Sequence, residues 1–241
     1  MKNGSLSLGH VGGIHLKIHW SASVIAFLVG ASLAGVIGVG AAIVGTVGFL
    51  ASILLHELGH ALTARRFGVP TESIQLWALG GVAKLSREAD TPKAEGWIAA
   101  AGPLTSIGLA VGSIGAWLAL GGSDAGTVYV SVLAWLGVIN ATLALFNLLP
   151  GSPLDGGRIL KAVRWQIHGS KYRAMREAAR AGTYLGWGLA GLGLFLMLRE
   201  QSGLWLMFTG VFIATNAKVE VAASYIGERL EGVKVRDVTW F

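Results

Sequence analysis

From Ala41 to Leu62 the chain offers only three ionisable side chains, His56, Glu57 and His60, in an otherwise apolar stretch. That combination constrains the fold more than any other feature. A run of about 20 apolar residues is long enough to cross a bilayer. In hydrocarbon every backbone N–H and C=O must be satisfied within the protein, which a helix achieves along its own length. Ionisable groups at that depth are costly, so by default they mark function. Composition agrees with a membrane setting. The 241 residues are 53% hydrophobic and 13% charged, whereas a soluble domain carries about 25% charged residues. The 36 glycines point to helices packed at close range.

Six segments have the length and character of spans: residues 19–39, 42–64, 97–120, 127–149, 180–199 and 203–223. The sequence therefore predicts an all-α integral membrane protein with six transmembrane helices and small cytoplasmic or interfacial β-strands. The first segment is long and lacks a signal-peptidase pattern, so it is expected to be retained. With the N-terminus in the cytoplasm, all but Arg199 of the 19 Lys and Arg residues fall on the cytoplasmic side. That asymmetry places both termini inside a cell membrane. It also explains the net charge of +6 without any nucleic-acid partner. The chain has no cysteine, hence no disulfide and no thiolate metal ligand.

Two stretches outside the spans carry strand patterns. Residues 4–18 alternate apolar and polar positions around Gly12-Gly13, which suits a hairpin. Residues 71–85 suggest two more short strands around Gly80 and Gly81. A small sheet there could accept an extended peptide by strand addition, with Gly80 and Gly81 as substrate contacts. The basic run 158–180 reads either as an interfacial helix on an anionic leaflet or as a plain positive-inside loop.

His56-Glu57-Leu58-Gly59-His60 gives the chemistry. Histidines four apart share one helical face and can share a metal, and HExxH is a zinc-hydrolase signature. Glu57 projects beside them, where a carboxylate can handle a water proton. Two histidines leave a catalytic zinc one protein ligand short, and a carboxylate is a common third. Asp124 is expected on the far side, and Glu88, Asp90 and Glu95 in a solvated loop. Asp155 sits in Pro150-Gly151-Ser152-Pro153-Leu154-Asp155-Gly156-Gly157. That run breaks ordinary helix just after the fourth span. Irregular backbone at membrane depth is tolerated where it lines a cavity or is buried. Asp155 is therefore the candidate third ligand, with turn capping as the alternative. Asn140 and Asn147 are seven apart and share a face. They could donate to a substrate carbonyl or serve as bonds between helices.

These residues resemble the site-2 proteases, a family of intramembrane zinc metalloproteases. HELGHAL in the second span matches that family's zinc motif, and Phe146–Arg158, FNLLPGSPLDGGR, matches its second motif. Ala101-Gly102-Pro103-Leu104 resembles its AGPL element. The following Thr105-Ser106 departs from it, since an asparagine is often found there. The resemblance implies Zn2+ on His56, His60 and Asp155, Glu57 as general base and proton shuttle, and Asn147 as a substrate-positioning residue. It implies cleavage of a peptide bond in or near the span of a membrane-anchored regulator, such as an anti-sigma or pro-sigma factor. Val233 to Val238 resembles the opening of a CBS region. Residues 1–225 are thus expected to be the membrane protease domain, and 226–241 a linker to a truncated cytoplasmic regulatory region that could bind a nucleotide or regulator. A metal transporter also suits histidines and a carboxylate in a membrane, though no acidic or His-rich relay lines the other spans. A third reading is an inactive homologue acting as a binding partner.

Overall fold

A computed structural model describes residues 4–78, 80–200 and 202–230. They form a mostly helical membrane protein with one small sheet. The chain divides into two compact units, residues 1–147 and 148–241. Val233 to Val238 lies outside the described residues.

The first unit opens with the expected hairpin, β1 (Ser5–Val11) and β2 (Ile14–His19), antiparallel about Gly12-Gly13. Helices α1 (Ala22–Ile37) and α2 (Val39–Arg66) follow. They are separated at Gly38, whose φ of 79° is open to glycine but strained for most side chains. Strands β3 (Thr71–Trp77) and β4 (Gly80–Leu85) come next. Gly80 and Gly81 belong to β4, paired with Trp77 and Leu76. The two hairpins join edge to edge, because β2 runs parallel to β3 with Leu16 opposite Ile74. The result is one four-stranded sheet in the order β1-β2-β3-β4. The sequence suggested two hairpins and no link between them.

The sheet lies on α2. Ile14, Leu16 and Ile74 are buried with Ala61, and Leu54, Leu58 and Ala83 pack against them. The alternation of the strands supplies this apolar face, and the outward turns of α2 meet it. Helix α3 (Pro92–Ala119) begins where its sequence dictates. Thr91 Oγ1 accepts the N–H of Ala94 at 3.2 Å, and Pro92 occupies the first turn, where a missing N–H costs nothing. Glu95, expected in a solvated loop, is instead buried in that first turn. Its neighbours Ala94 and Ile98 join Ala64, Val69 and Ala89 in a second core. Helix α4 (Val128–Asn147) completes the unit.

The second unit holds α5 (Asp155–His168), α6 (Lys171–Glu200) and α7 (Leu204–Leu230). The basic run is thus helical, interrupted only near Gly169, which ends α5 in the left-handed conformation. Arg164 of α5 pairs with Glu177 of α6, and Arg176 of α6 with Glu228 of α7. Helices α6 and α7 approach through glycine. A Cβ at Gly186 would stand 2.5 Å from the Ala214 nitrogen, and one at Gly210 2.5 Å from the Gly186 carbonyl.

Five helices, α2, α3, α4, α6 and α7, are long and apolar enough to cross a bilayer. Many of their large apolar side chains face outward, Val111, Leu145 and Trp205 among them. That pattern suits lipid and is rare on a soluble surface. The protein is therefore a multi-pass membrane protein. Helix α1 is the exception among the six expected spans. Its 16 residues rise about 24 Å, short of the roughly 30 Å hydrocarbon core.

Candidate metal centre

His56 and His60 project from one face of α2 toward α3, and both are buried. Their Nε2 atoms are 3.2 Å apart. Each ring is held from behind by α3. His60 Nδ1 is 2.7 Å from the Ile98 carbonyl oxygen. A carbonyl only accepts, so Nδ1 is the donor, and in the neutral ring Nε2 would then be the nitrogen left to accept or ligate. His56 Nδ1 is 2.9 Å from Ser106 Oγ. Outer partners of this kind are what orient metal-ligating histidines. Two nitrogens bound to one tetrahedral zinc at about 2.0–2.1 Å stand roughly 3.3 Å apart, and the observed separation matches.

Helix α3 comes this close because of its glycine. A Cβ at Gly102 would overlap His60 Nε2 and stand 2.6 Å from His56 Nε2. On the α2 side, a Cβ at Gly59 would stand 2.8 Å from the Ala101 carbonyl. Gly59 of the HELGH run and Gly102 of the AGPL run thus face each other's helices, and both must lack a side chain. Pro103 follows within the same helix. It has no N–H to donate to the Ala99 carbonyl four residues back, beside the Ile98 carbonyl that meets His60.

Glu57 is half-buried on the sheet side of the pair. Strand β4 passes directly over it. A Cβ at Gly81 would stand 2.8 Å from Glu57 Cδ and 2.9 Å from Oε1. Of the two glycines expected at a substrate strand, Gly81 therefore adjoins the carboxylate, while Gly80 has open space around it and a φ of 128°.

The two asparagines occupy different settings. Asn140 is buried, and its Nδ2 donates both to Ser52 Oγ at 2.9 Å and to the Leu136 carbonyl at 2.8 Å. Both donor hydrogens are engaged, so in this arrangement it ties α4 to α2 one turn before His56 and has none left to offer a substrate. Asn147 ends α4, half-buried, with one bond to the Leu143 carbonyl at 3.0 Å.

In the second unit Asp155 opens α5, half-buried, in the first turn and one position past the N-cap Leu154. The chain before it is folded tightly. Gly156 lies against the Leu148 and Leu149 carbonyls, and Gly157 against the backbone of Gly151 and Ser152. Ser152 N–H donates to the Ala178 carbonyl of α6 at 3.3 Å. The glycines and prolines of this run therefore fix the backbone from which Asp155 projects.

Comparison with known proteins decides the family. The family model described as Peptidase family M50 matches residues 44–124 and 120–189. The chain belongs to peptidase family M50. It is 42% identical over 246 residues to the "Putative zinc metalloprotease Rip3" of Mycobacterium tuberculosis, covering 97% of this chain and 63% of that protein. It is 31% identical over 190 residues to the "Zinc metalloprotease MJ0392" of Methanocaldococcus jannaschii, covering 78% of this chain and 52% of that one. Among solved structures it is similar to the "Site-2 Protease from Methanocaldococcus jannaschii", with a TM-score of 0.64 and 28% identity over 90% of this chain and 95% of that one. The chain spans less than two thirds of the length of the two metalloprotease relatives, Rip3 and MJ0392. The M50 model takes in both HELGH and the run around Asp155.

Sequence reasoning missed Ser106, Ile98 and Gly102 as parts of the centre. Gly102 carried a signal, since a glycine before a proline inside a span invites close approach. Ser106 read only as a departure from a family pattern, yet its hydroxyl takes up the contact to His56.

Proposed function

We propose that the chain is the membrane domain of an intramembrane zinc endopeptidase, cutting a peptide bond in or near the span of a membrane-anchored protein. The observation that carries this reading is the buried histidine pair, with both Nδ1 atoms engaged by α3 and both Nε2 atoms 3.2 Å apart beside Glu57. On this reading the donor set is His56, His60 and, from the resemblance of the run around it, Asp155; two imidazoles and one carboxylate suit a catalytic zinc with one position open. Zinc held there would supply Lewis acidity toward the scissile carbonyl and make a water acidic enough to attack near neutral pH.

The protein's own groups do the rest. Glu57 accepts the proton of the attacking water and returns it to the leaving amine. Asn147, at the end of α4, steadies the substrate backbone. The substrate's extended segment pairs beside Gly81, which unwinds a helix whose carbonyls would otherwise stay hydrogen-bonded. Glu57 beside the ligand pair favours hydrolysis over metal transport. Helix α1 serves as a sixth, shorter span, and both termini face the cytoplasm, as the distribution of Lys and Arg supports. Residues from 226 onward lead to a cytoplasmic regulatory region of CBS type. The natural substrates are membrane-anchored regulators, of which anti-sigma and pro-sigma factors are candidates.

The test is Glu57→Gln beside wild type in detergent, with zinc content and cleavage of a single-span substrate both measured. The expected result is zinc in both and cleavage only in wild type. Cleavage by the variant would refute the assignment.

A further inference from the structure

We propose that Ser106 is a positioning residue for the metal, acting through His56; the proposal rests on the reading of His56 and His60 as zinc ligands. Ile98, Gly102 and Ser106 are spaced four apart and line one face of α3. Each serves the histidine pair differently. Ile98 offers a main-chain carbonyl to His60, Gly102 leaves room for both Nε2 atoms, and Ser106 offers a hydroxyl to His56.

The hydroxyl's partner is unusual for its place. Serine and threonine inside helices commonly bond the carbonyl four residues back. Thr105 does so, with Oγ1 donating to the Ala101 carbonyl at 2.8 Å. Ser106, wholly buried, instead meets an imidazole 50 residues away in sequence. A buried hydroxyl turned from its own helix to a ligand nitrogen holds the plane of that ring.

The two ligands are thus held by unlike means. His60 is fixed by the main chain, which no substitution at position 98 removes. At His56 the partner of Nδ1 is a side-chain hydroxyl, which a substitution does remove. Ser106 is therefore the adjustable member of the row, and it sets how firmly His56 presents Nε2.

The experiment compares zinc affinity of wild type, Ser106→Ala, Ser106→Asn, Thr105→Ala and His56→Ala in detergent, by competition with a chromophoric chelator, alongside thermal unfolding of the metal-free proteins. Ser106→Ala is expected to bind zinc about 10–100-fold more weakly, the usual cost of losing an outer-sphere partner. Its metal-free unfolding temperature should stay near that of wild type. Ser106→Asn, whose amide oxygen can accept from Nδ1, should restore affinity, and Thr105→Ala should keep it. Undiminished affinity in Ser106→Ala overturns the proposal. So does an equal loss in Ser106→Ala and Thr105→Ala, or a loss that Ser106→Asn fails to restore, since either assigns the residue to packing. If wild type and His56→Ala bind zinc alike, the zinc-ligand reading fails instead.

Discussion

Gly81→Ala isolates the carboxylate from the metal ligands. The added methyl would meet Glu57 at 2.8 Å from Cδ and 2.9 Å from Oε1, and would overlap Cγ. Non-bonded carbons settle at about 3.5–4.0 Å, so the carboxylate must retreat by roughly 1 Å or β4 must bow away by as much. Moving the side chain off its rotamer costs about 0.5–1.5 kcal/mol. That is small beside the stability of a folded domain, so the variant should fold. Catalysis should suffer far more, because a 1 Å misplacement of a reacting group can cost about 10²-fold in rate, close to 2.7 kcal/mol of barrier. The histidines meet α3, while Gly81 adjoins Glu57, so zinc content should hold. The assay is turnover of a single-span substrate in detergent at saturating substrate, with zinc quantified on the same preparations. Val82→Ala, which alters the same strand at an exposed position, should cleave near the wild-type rate. Wild-type kcat in Gly81→Ala, with zinc bound, would refute the claim that β4 confines Glu57. Loss of zinc together with activity would show that the strand supports the ligands rather than the base.

Gly102→Ala should act on the ligands instead. Its methyl would overlap His60 Nε2 and stand 2.6 Å from His56 Nε2, and overpacking of this kind costs about 1–3 kcal/mol. Zinc stoichiometry should fall well below one, and full occupancy with normal affinity would refute the close approach of α3. Asn140→Ala should lower thermal stability through α4 and α2 rather than change KM. A double-mutant cycle with Ser52→Ala should give a coupling of about 0.6 kcal/mol, typical of hydrogen bonds between membrane helices; additive effects would remove that bond from the account.

How much of this was legible beforehand follows from where each signal resides. The HELGH motif lies within one helix, so the 3.6-residue period alone puts His56 and His60 on one face, and the paired rings follow. The spans are legible because twenty apolar residues carry one message. Helix α1 tests that message, since Gly38 ends it after 16 residues. The strands were visible from alternation and Gly12-Gly13. Their union was not, because a parallel pairing of β2 with β3 joins segments separated by two helices and leaves no local mark. Glu95 was misplaced for a similar reason. It lies in a charged stretch that reads as solvated, but Thr91 caps the helix early enough to put Glu95 in its buried first turn.

The contacts across helices set the real limit. A glycine before a proline invites close approach at Gly102, but the sequence does not say which helix Gly59 and Gly102 meet, or that Ser106 turns from its own backbone toward His56. Once those contacts are known, the small residues acquire a reason. Gly102 thins α3 and lets the Ile98 carbonyl and the Ser106 hydroxyl come behind the two rings. The geometry of the histidine pair is therefore stored in the α2–α3 contact, between two long helices, and not in a loop. A histidine pair built this way keeps its spacing independently of the strand that lies over Glu57. Glu57, by contrast, is confined from the sheet side through Gly81. Substitutions on α3 should consequently read out as metal affinity, and substitutions on β4 as turnover, with little crossing between the two.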